Sequence, residues 1–309
     1  MTAGVNGSGG GVRTGMRMAF NVDYDHLEIT GIGRYGLELV RAWQRNGLYC
    51  ELWMNRTALS SPPDLPGGAD GIRYYPWPRR ITDRFWPSRR ARMEGIEWVH
   101  SANCMLLPGN TAFGQVTMVH DMGPFLFGHM KADEDTLPWR ARLRDVAARA
   151  DCIMVNSKST MEDLLEVFPG VGDRVFVTPL GIDHFPPGRE SSSRDHILSV
   201  GTVEPRKNVD GLVRAYSILR GRRSVPPLVI AGMDGFRADE YRKLVRDLSL
   251  GDSVTFTGYI SDTRLAELYG RALCLVHPAH HEGFGFTVPE AFSWELPVVA
   301  SDTAGLAEY

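Results

Sequence analysis

Cysteine is scarce and scattered in this chain, and charge of neither sign dominates it. The four cysteines, Cys50, Cys104, Cys152 and Cys274, form no C-x-x-C pair. That spacing argues against a zinc site or a dithiol redox motif. Three of them lie in or beside apolar runs, which points to reduced core thiols rather than disulfides. A formal net charge of −3 provides no basic footprint for general nucleic-acid binding. No apolar run approaches the length of a transmembrane helix. Residues 1–15 are glycine-rich and polar, with no hydrophobic segment to serve as a secretory signal, and read as a disordered tail. No internal repeat is present. The expected setting is cytoplasmic.

Against these absences stands an ordinary globular composition, 43% hydrophobic and 23% charged over 309 residues, enough for two domains with separate cores. Strand-like and helix-like stretches alternate, which predicts an α/β fold with parallel sheets. Met16 to Val22 reads as a first strand, Ile32 to Arg45 as a helix closed near Gly47, and Cys50 to Met54 as a strand. Gln115 to Val119 is a short strand followed at once by His120-Asp121. Leu137 to Ala150 has helical spacing, Cys152 to Val155 returns to strand, and Asn156 or Ser157 is placed to cap the next helix. A proline-, glycine- and serine-rich stretch over 184–194 reads as an interdomain linker. Beyond it, strands at Ile197 to Val200, Leu228 to Ala231, Val254 to Phe256 and Leu273 to His277 alternate with helical segments.

The densest chemistry follows the last of these strands. His281-Glu282-Gly283-Phe284-Gly285-Phe286-Thr287-Val288-Pro289-Glu290 brackets a glycine-aromatic turn with two carboxylates. Gly283 and Gly285 would let backbone pass close to a ligand. Thr287 is placed to N-cap the next helix, with Pro289 in its first turn, and a helix start offers backbone N–H groups to a phosphate. The same residues spell a capping box in which Glu290 satisfies only its own helix, and local pattern leaves both readings open. Glu282 is harder to assign to structure alone, because it lies at the carboxyl end of a buried strand, where open α/β sheets bind their ligands.

The stretch resembles the E-x7-E signature of the retaining family-4 glycosyltransferases, which have the GT-B fold of two Rossmann-like domains facing a cleft. Further segments match in order: Gly31-Ile32-Gly33, Val119-His120-Asp121, Asn156-Ser157-Lys158-Ser159, Pro179-Leu180-Gly181-Ile182-Asp183, Gly201 to Asn208, Phe256-Thr257-Gly258-Tyr259 and Pro297 to Ser301. The resemblance therefore covers Met16 to the last residue. It implies a first domain over 16–183 that holds the acceptor and a second over 195–309 that holds a nucleotide sugar. Family members normally continue past the equivalent of Tyr309, so the second domain is expected to be incomplete.

The resemblance also implies roles. Arg206 and Lys207 would bind the diphosphate, although an adjacent Arg-Lys pair is commonly just solvated. Glu290 would hold the ribose hydroxyls, and Glu282 would face the donor sugar as a positioning and electrostatic group rather than a nucleophile. Backbone from Gly283 through Phe284, Gly285, Phe286 and Thr287 would contact sugar and phosphate. Tyr259 and Ile260 fall where nucleobase contacts lie, with core packing as the alternative. His120 would lie near the donor sugar, and Asp121 would orient it or bind acceptor; a lone histidine after a strand is otherwise structural. Gly31 and Gly33 would let a loop close over the diphosphate. No metal and no cofactor are implied, the sugar nucleotide being a substrate, with mannose from GDP-mannose as the first choice and the acceptor unidentified.

Two local patterns mislead. Gly31-Ile32-Gly33-Arg34-Tyr35-Gly36 spells the dinucleotide fingerprint, yet Asp23 to Thr30 separate it from the first strand, whereas that fingerprint follows its strand directly. Asp23-Tyr24-Asp25 imitates a metal-binding D-x-D. Finally, Arg79, Arg80, Arg84, Arg89, Arg90 and Arg92 interleave with Phe85, Trp86 and Pro87. This reads either as a solvated loop or as a peripheral contact with anionic lipid or a lipid-linked acceptor. The rival functions are a non-catalytic nucleotide-sugar binding module, an NAD-dependent oxidoreductase and a GT-B epimerase.

Overall fold

The computed structural model describes residues 15–22, 31–54, 71–75, 85–109, 111–127, 133–183, 185–186, 188 and 193–309. The expected tail up to Thr14, Asp23-Tyr24-Asp25, Arg79 to Arg84 and part of the proposed linker lie outside these. The chain forms two compact units, one of residues 1–117 with 150–152 and one of 118–149 with 153–309.

In the first unit the described elements are β1 (Arg17–Val22), α1 (Gly31–Arg45), β2 (Tyr49–Met54), β3 (Ile72–Tyr74), α2 (Trp86–Glu94), β4 (Trp98–Ser101) and most of β5 (Gly114–Val119). They follow the order β3-β2-β1-β4-β5, with every neighbour parallel. β2 is buried at five of its six residues because helices cover both faces of such a sheet. Val40 of α1 packs with Phe20, Leu52 and Met54, joined by Ile32, Tyr35 and Trp43. Gly36 permits that approach, since a Cβ there would come within 2.8 Å of the Phe20 ring. On the opposite face Trp53 packs with Ala19, Val99, Phe113 and the partly buried Trp86. Gly31 and Gly33 lie in the first turn of α1, which starts one residue before the expected Ile32.

Glu51 is a buried carboxylate within β2. It accepts from Trp53 Nε1 at 2.8 Å, Tyr49 Oη at 3.0 Å and Arg90 Nε at 3.2 Å, and it pairs with Arg73. Burial would raise its carboxyl, but the Arg90 and Trp53 hydrogen bonds outweigh that and lower it. Two members of the basic-aromatic segment are thereby used structurally: Arg90 on Glu51, and Trp86 against Trp53 with ring centroids 5.3 Å apart.

The second unit begins with the end of β5 and continues through α3 (Gly123–Leu126), α4 (Asp133–Arg149), β6 (Cys152–Val155), α5 (Lys158–Val167) and β7 (Val175–Val177), with β6 and β7 parallel. Ser157 caps α5 as expected: its Oγ accepts from Thr160 N at 3.0 Å, a contact that contributes about 1 kcal/mol in typical helices. Then come β8 (His196–Val200), α6 (Val209–Arg222), β9 (Leu228–Ala231), α7 (Ala238–Asp247), β10 (Val254–Phe256), α8 (Asp262–Arg271), β11 (Ala272–His277), α9 (Thr287–Ser293) and β12 (Val298–Ala300). This sheet is ordered β10-β9-β8-β11-β12, again all parallel. Leu228 and Ile230 of β9 enter a core with Val213, Tyr216, Tyr241 and Val245. Ala231 points the other way, into a core with Leu198, Tyr269, Leu275 and Ala291. Chain order reverses between β8 and β11, so their carboxyl ends form the switch point at which such sheets bind ligands.

Candidate functional site

Two loops leave that switch point and lock together. After β8 the chain turns at Gly201 and enters a 3-10 turn, Pro205–Lys207. After β11 the loop from Pro278 to Phe286 leads into α9. His280 N donates to the Arg206 carbonyl at 2.9 Å, and Asn208 Nδ2 donates to the Pro278 carbonyl at 3.0 Å. Asn208 adopts φ +54, which ends the 3-10 turn and starts α6 in one residue. Gly201 leaves room for the Lys207 stem, whose Cε would lie 3.1 Å from an added Cβ.

These backbone contacts bring both cations onto one carboxylate. Arg206 donates from one terminal nitrogen to Glu282 Oε2 at 2.9 Å and to the His281 carbonyl at 3.0 Å, while Lys207 Nζ meets Glu282 Oε1. Glu204 pairs with the other side of the Arg206 guanidinium at 3.0 Å. Burial alone would raise the Glu282 carboxyl, but the Lys207 and Arg206 charges outweigh it and hold Glu282 well below the usual carboxylate range. Burial alone would likewise lower Arg206, yet the carboxylates of Glu282, Asp121 and Glu204 raise it.

His277, at the end of β11, supports the same carboxylate. Its Nε2 lies 3.2 Å from Glu282 Oε1 and its Nδ1 lies 2.8 Å from Thr287 Oγ1. Burial, reinforced by Lys207 and Arg206, lowers this imidazole despite the pull of Glu282. A carboxylate only accepts, so the neutral ring carries its proton on Nε2, and Nδ1 accepts from the Thr287 hydroxyl. Thr287 is therefore not the N-cap of α9. Phe286 stands there, with no side-chain cap. Glu290 Oε2 accepts from the Tyr269 hydroxyl at 3.0 Å, so its carboxylate does not serve its own helix alone.

The glycines of this loop approach the chain itself. A Cβ on Gly283 would lie 1.9 Å from the His120 carbonyl oxygen, and one on Gly305 would lie 2.2 Å from the Gly283 carbonyl oxygen. Gly285 needs φ +78 and lies against Leu306. Gly305 N donates to the Glu282 carbonyl at 3.0 Å, and Glu308 Oε1 accepts from Ser159 N at 2.8 Å. The loop is thus held between the His120-Asp121 segment and the turn at Ala304–Glu308. Asn156 Nδ2 fixes the His120 carbonyl at 2.9 Å, and Asp121 Oδ1 accepts from Gly123 N at 2.9 Å to start α3.

One family profile, "Glycosyltransferase Family 4", matches residues 29–184, just over half of the chain. The chain belongs to glycosyltransferase family 4. A second profile, "Glycosyl transferases group 1", matches residues 183–309 of this glycosyltransferase. The O-antigen chain mannosyltransferase B of Escherichia coli is 26% identical over 321 residues, covering 95% of this chain and 84% of that protein. Among solved structures, sucrose-phosphate synthase from Thermosynechococcus elongatus has a TM-score of 0.69 at 22% identity, covering 94% of this chain and 82% of that one. The HepE protein of Anabaena in complex with UDP and glucose has a TM-score of 0.68 at 13% identity, covering 95% and 82%. The fold is thus GT-B.

Within the second unit of the glycosyltransferase, one cluster gathers the His120 backbone, Arg206, Lys207, Glu282 and Gly283. Phe284 and Phe286 stack edge-on at 5.3 Å beside it, and Phe284 also meets Tyr309 at 5.6 Å. Ile260 is partly buried against the core of this unit, whereas Tyr259 is 57% exposed, so core packing does not explain Tyr259. Gly31 and Gly33 belong to the first unit. Sequence reasoning missed His277 and Tyr269. A histidine ending an apolar strand beside a glutamate five residues on was the available signal for the first. No helix in the described residues is long and apolar enough to cross a membrane.

Proposed function

We propose that this chain transfers a hexose, with retention of anomeric configuration, from a nucleoside diphosphate sugar to an acceptor hydroxyl. The observation that carries this reading is the convergence of Arg206 and Lys207 on buried Glu282 at the switch point. The two cations stabilise the diphosphate as negative charge develops on it, without a metal ion or other cofactor. Arg206 has the fork geometry for two phosphate oxygens. Glu290 holds the ribose hydroxyls, Tyr259 and Ile260 adjoin the base, and backbone of Gly283 through Thr287 lines the sugar and phosphate. Glu282 and His120 face the donor sugar. The bond from the anomeric carbon to phosphate breaks as the acceptor oxygen adds on the same face, and the acceptor proton leaves on the departing diphosphate. Mannose is the preferred sugar, supported by the name of the Escherichia coli relative. The HepE complex with UDP and glucose supports a nucleoside diphosphate ligand.

A thermal-shift screen against GDP, UDP, ADP and NAD, each with and without EDTA, tests this. A ligand at about 100 times its Kd adds about 2.7 kcal/mol of stability. The expected result is an EDTA-insensitive shift with one nucleoside diphosphate, followed by turnover of its hexose derivative to a product of retained configuration. A shift with NAD alone would point to an oxidoreductase. Binding with neither transfer nor donor hydrolysis would leave a binding module.

We further propose a peripheral membrane contact through the first unit, supported by the exposed face of α2. Along α2 and its leading residue, Phe85 and Met93 are 52% and 65% exposed, and Arg89 and Arg92 are exposed beside them. Spacings of four, seven and eight residues put all four on one helical stripe. Apolar and basic groups side by side suit an anionic lipid surface or a lipid-linked acceptor. Co-sedimentation with phosphatidylglycerol vesicles is expected, weakened when Phe85→Ser and Arg89→Glu are combined. No binding at low salt would remove the membrane contact and leave the transfer reaction untouched.

A further inference from the structure

Glu290 is 4% exposed in the first turns of a seven-residue helix, and a buried carboxylate keeps one rotamer only if something holds it. The holder comes from α8. Tyr269 is 1% exposed, and its hydroxyl lies 3.0 Å from Glu290 Oε2 and 3.2 Å from the Thr287 carbonyl. Both partners are acceptors, so the single phenolic proton is shared between the two ends of the first turn of α9. The ring has no freedom to leave. It packs with Leu268, Ala272, Leu275, Ala291 and Leu296, and the Phe185 ring meets it edge-on at 5.2 Å. Ser293 Oγ donates to the Glu290 carbonyl at 2.7 Å and fixes the backbone of the same residue.

We infer that Tyr269 is a positioning residue that aims the Glu290 carboxylate at the ribose of the donor nucleotide. This rests on the reading of Glu290 given above. The phenol never touches the nucleotide; it sets the direction of the group that does. Burial, reinforced by the Glu290 carboxylate, raises Tyr269 well above the ordinary phenol range, so it remains a donor at any working pH.

The test compares a nucleoside diphosphate with its 2′,3′-dideoxy analogue, using the preferred base, by calorimetric titration of the full chain. Tyr269→Phe keeps the ring and its packing. Affinity for the ribonucleotide is expected to fall about ten-fold, the loss of one hydrogen bond to a charged group. Affinity for the dideoxy analogue is expected to stay unchanged. Glu290→Gln should also lose discrimination between the two ligands, and the double variant should be no worse than Glu290→Gln alone. Equal weakening of both ligands by Tyr269→Phe would make the tyrosine a packing residue and overturn the inference. So would retained discrimination in Tyr269→Phe when Glu290→Gln has lost it, with the ribose assignment intact. Retained discrimination in Glu290→Gln would overturn the ribose assignment, and the role of Tyr269 with it.

Discussion

Lys207→Ala is expected to lower kcat/KM for the sugar nucleotide by about 10²–10³-fold, the usual effect of removing one preorganised group that stabilises developing charge. The fold should survive, because Glu282 keeps Arg206 at 2.9 Å and His277 at 3.2 Å. The fall should appear in kcat and not only in KM, because charge on the diphosphate grows as the glycosidic bond breaks. A second signature follows from electrostatics. The Glu282 carboxyl lies below its ordinary value of 4.5, largely through Lys207 and Arg206. Its favourable contribution is therefore complete above that value and fades as pH falls through the depressed one. Removing Lys207 raises the Glu282 carboxyl, so the acid limb of both stability and rate should move to higher pH. A Lys207→Ala enzyme within about three-fold of the parent would remove the lysine from the leaving-group site.

The alternation of strands and helices in the second unit was legible because β8, β9, β10 and β11 are short apolar runs separated by amphipathic helices. In the first unit β3, α2 and β4 escaped that reading. β4 carries His100 and Ser101 fully inside the protein, so its polar residues hide a buried strand. The E-x7-E stretch could be located but not resolved into contacts. Thr287 has the residue type and position of an N-cap, yet its hydroxyl goes to His277, ten residues upstream across a loop. Glu290 matches a capping box, but a tyrosine on another helix also holds its side chain. Local pattern describes a helix start in isolation, and here tertiary partners outcompete it. Tyr269 gave no signal, because a tyrosine on the buried face of a helix reads as core.

Gly283→Ala should cost about 3 kcal/mol of stability, the upper range for overpacking, and abolish transfer. The residue does not have positive φ, so alanine is not strained by backbone conformation. The obstacle is contact. A Cβ would stand 1.9 Å from the His120 carbonyl oxygen and 3.1 Å from Asp121 Cβ. That carbonyl is fixed by Asn156, and Asp121 is fixed by its bond to Gly123 N, so neither yields as a flexible side-chain end would. Gly305 closes the other side of the same peptide, and its own N–H holds the Glu282 carbonyl. Relief must therefore come from moving the loop that carries Glu282 away from Arg206 and Lys207. Gly285→Ala makes the contrast. Its one contact under 3 Å is with Leu306 Cδ2 at 2.5 Å, the far end of a side chain that can rotate, but it forces alanine to φ +78. That costs about 1–2 kcal/mol and leaves the dock against His120 intact. Urea denaturation of both variants, paired with initial rates, should rank Gly283→Ala as the more damaging in each measurement. Equal losses would mean that backbone conformation in the loop, and not its seating against His120, is what holds Glu282 in place.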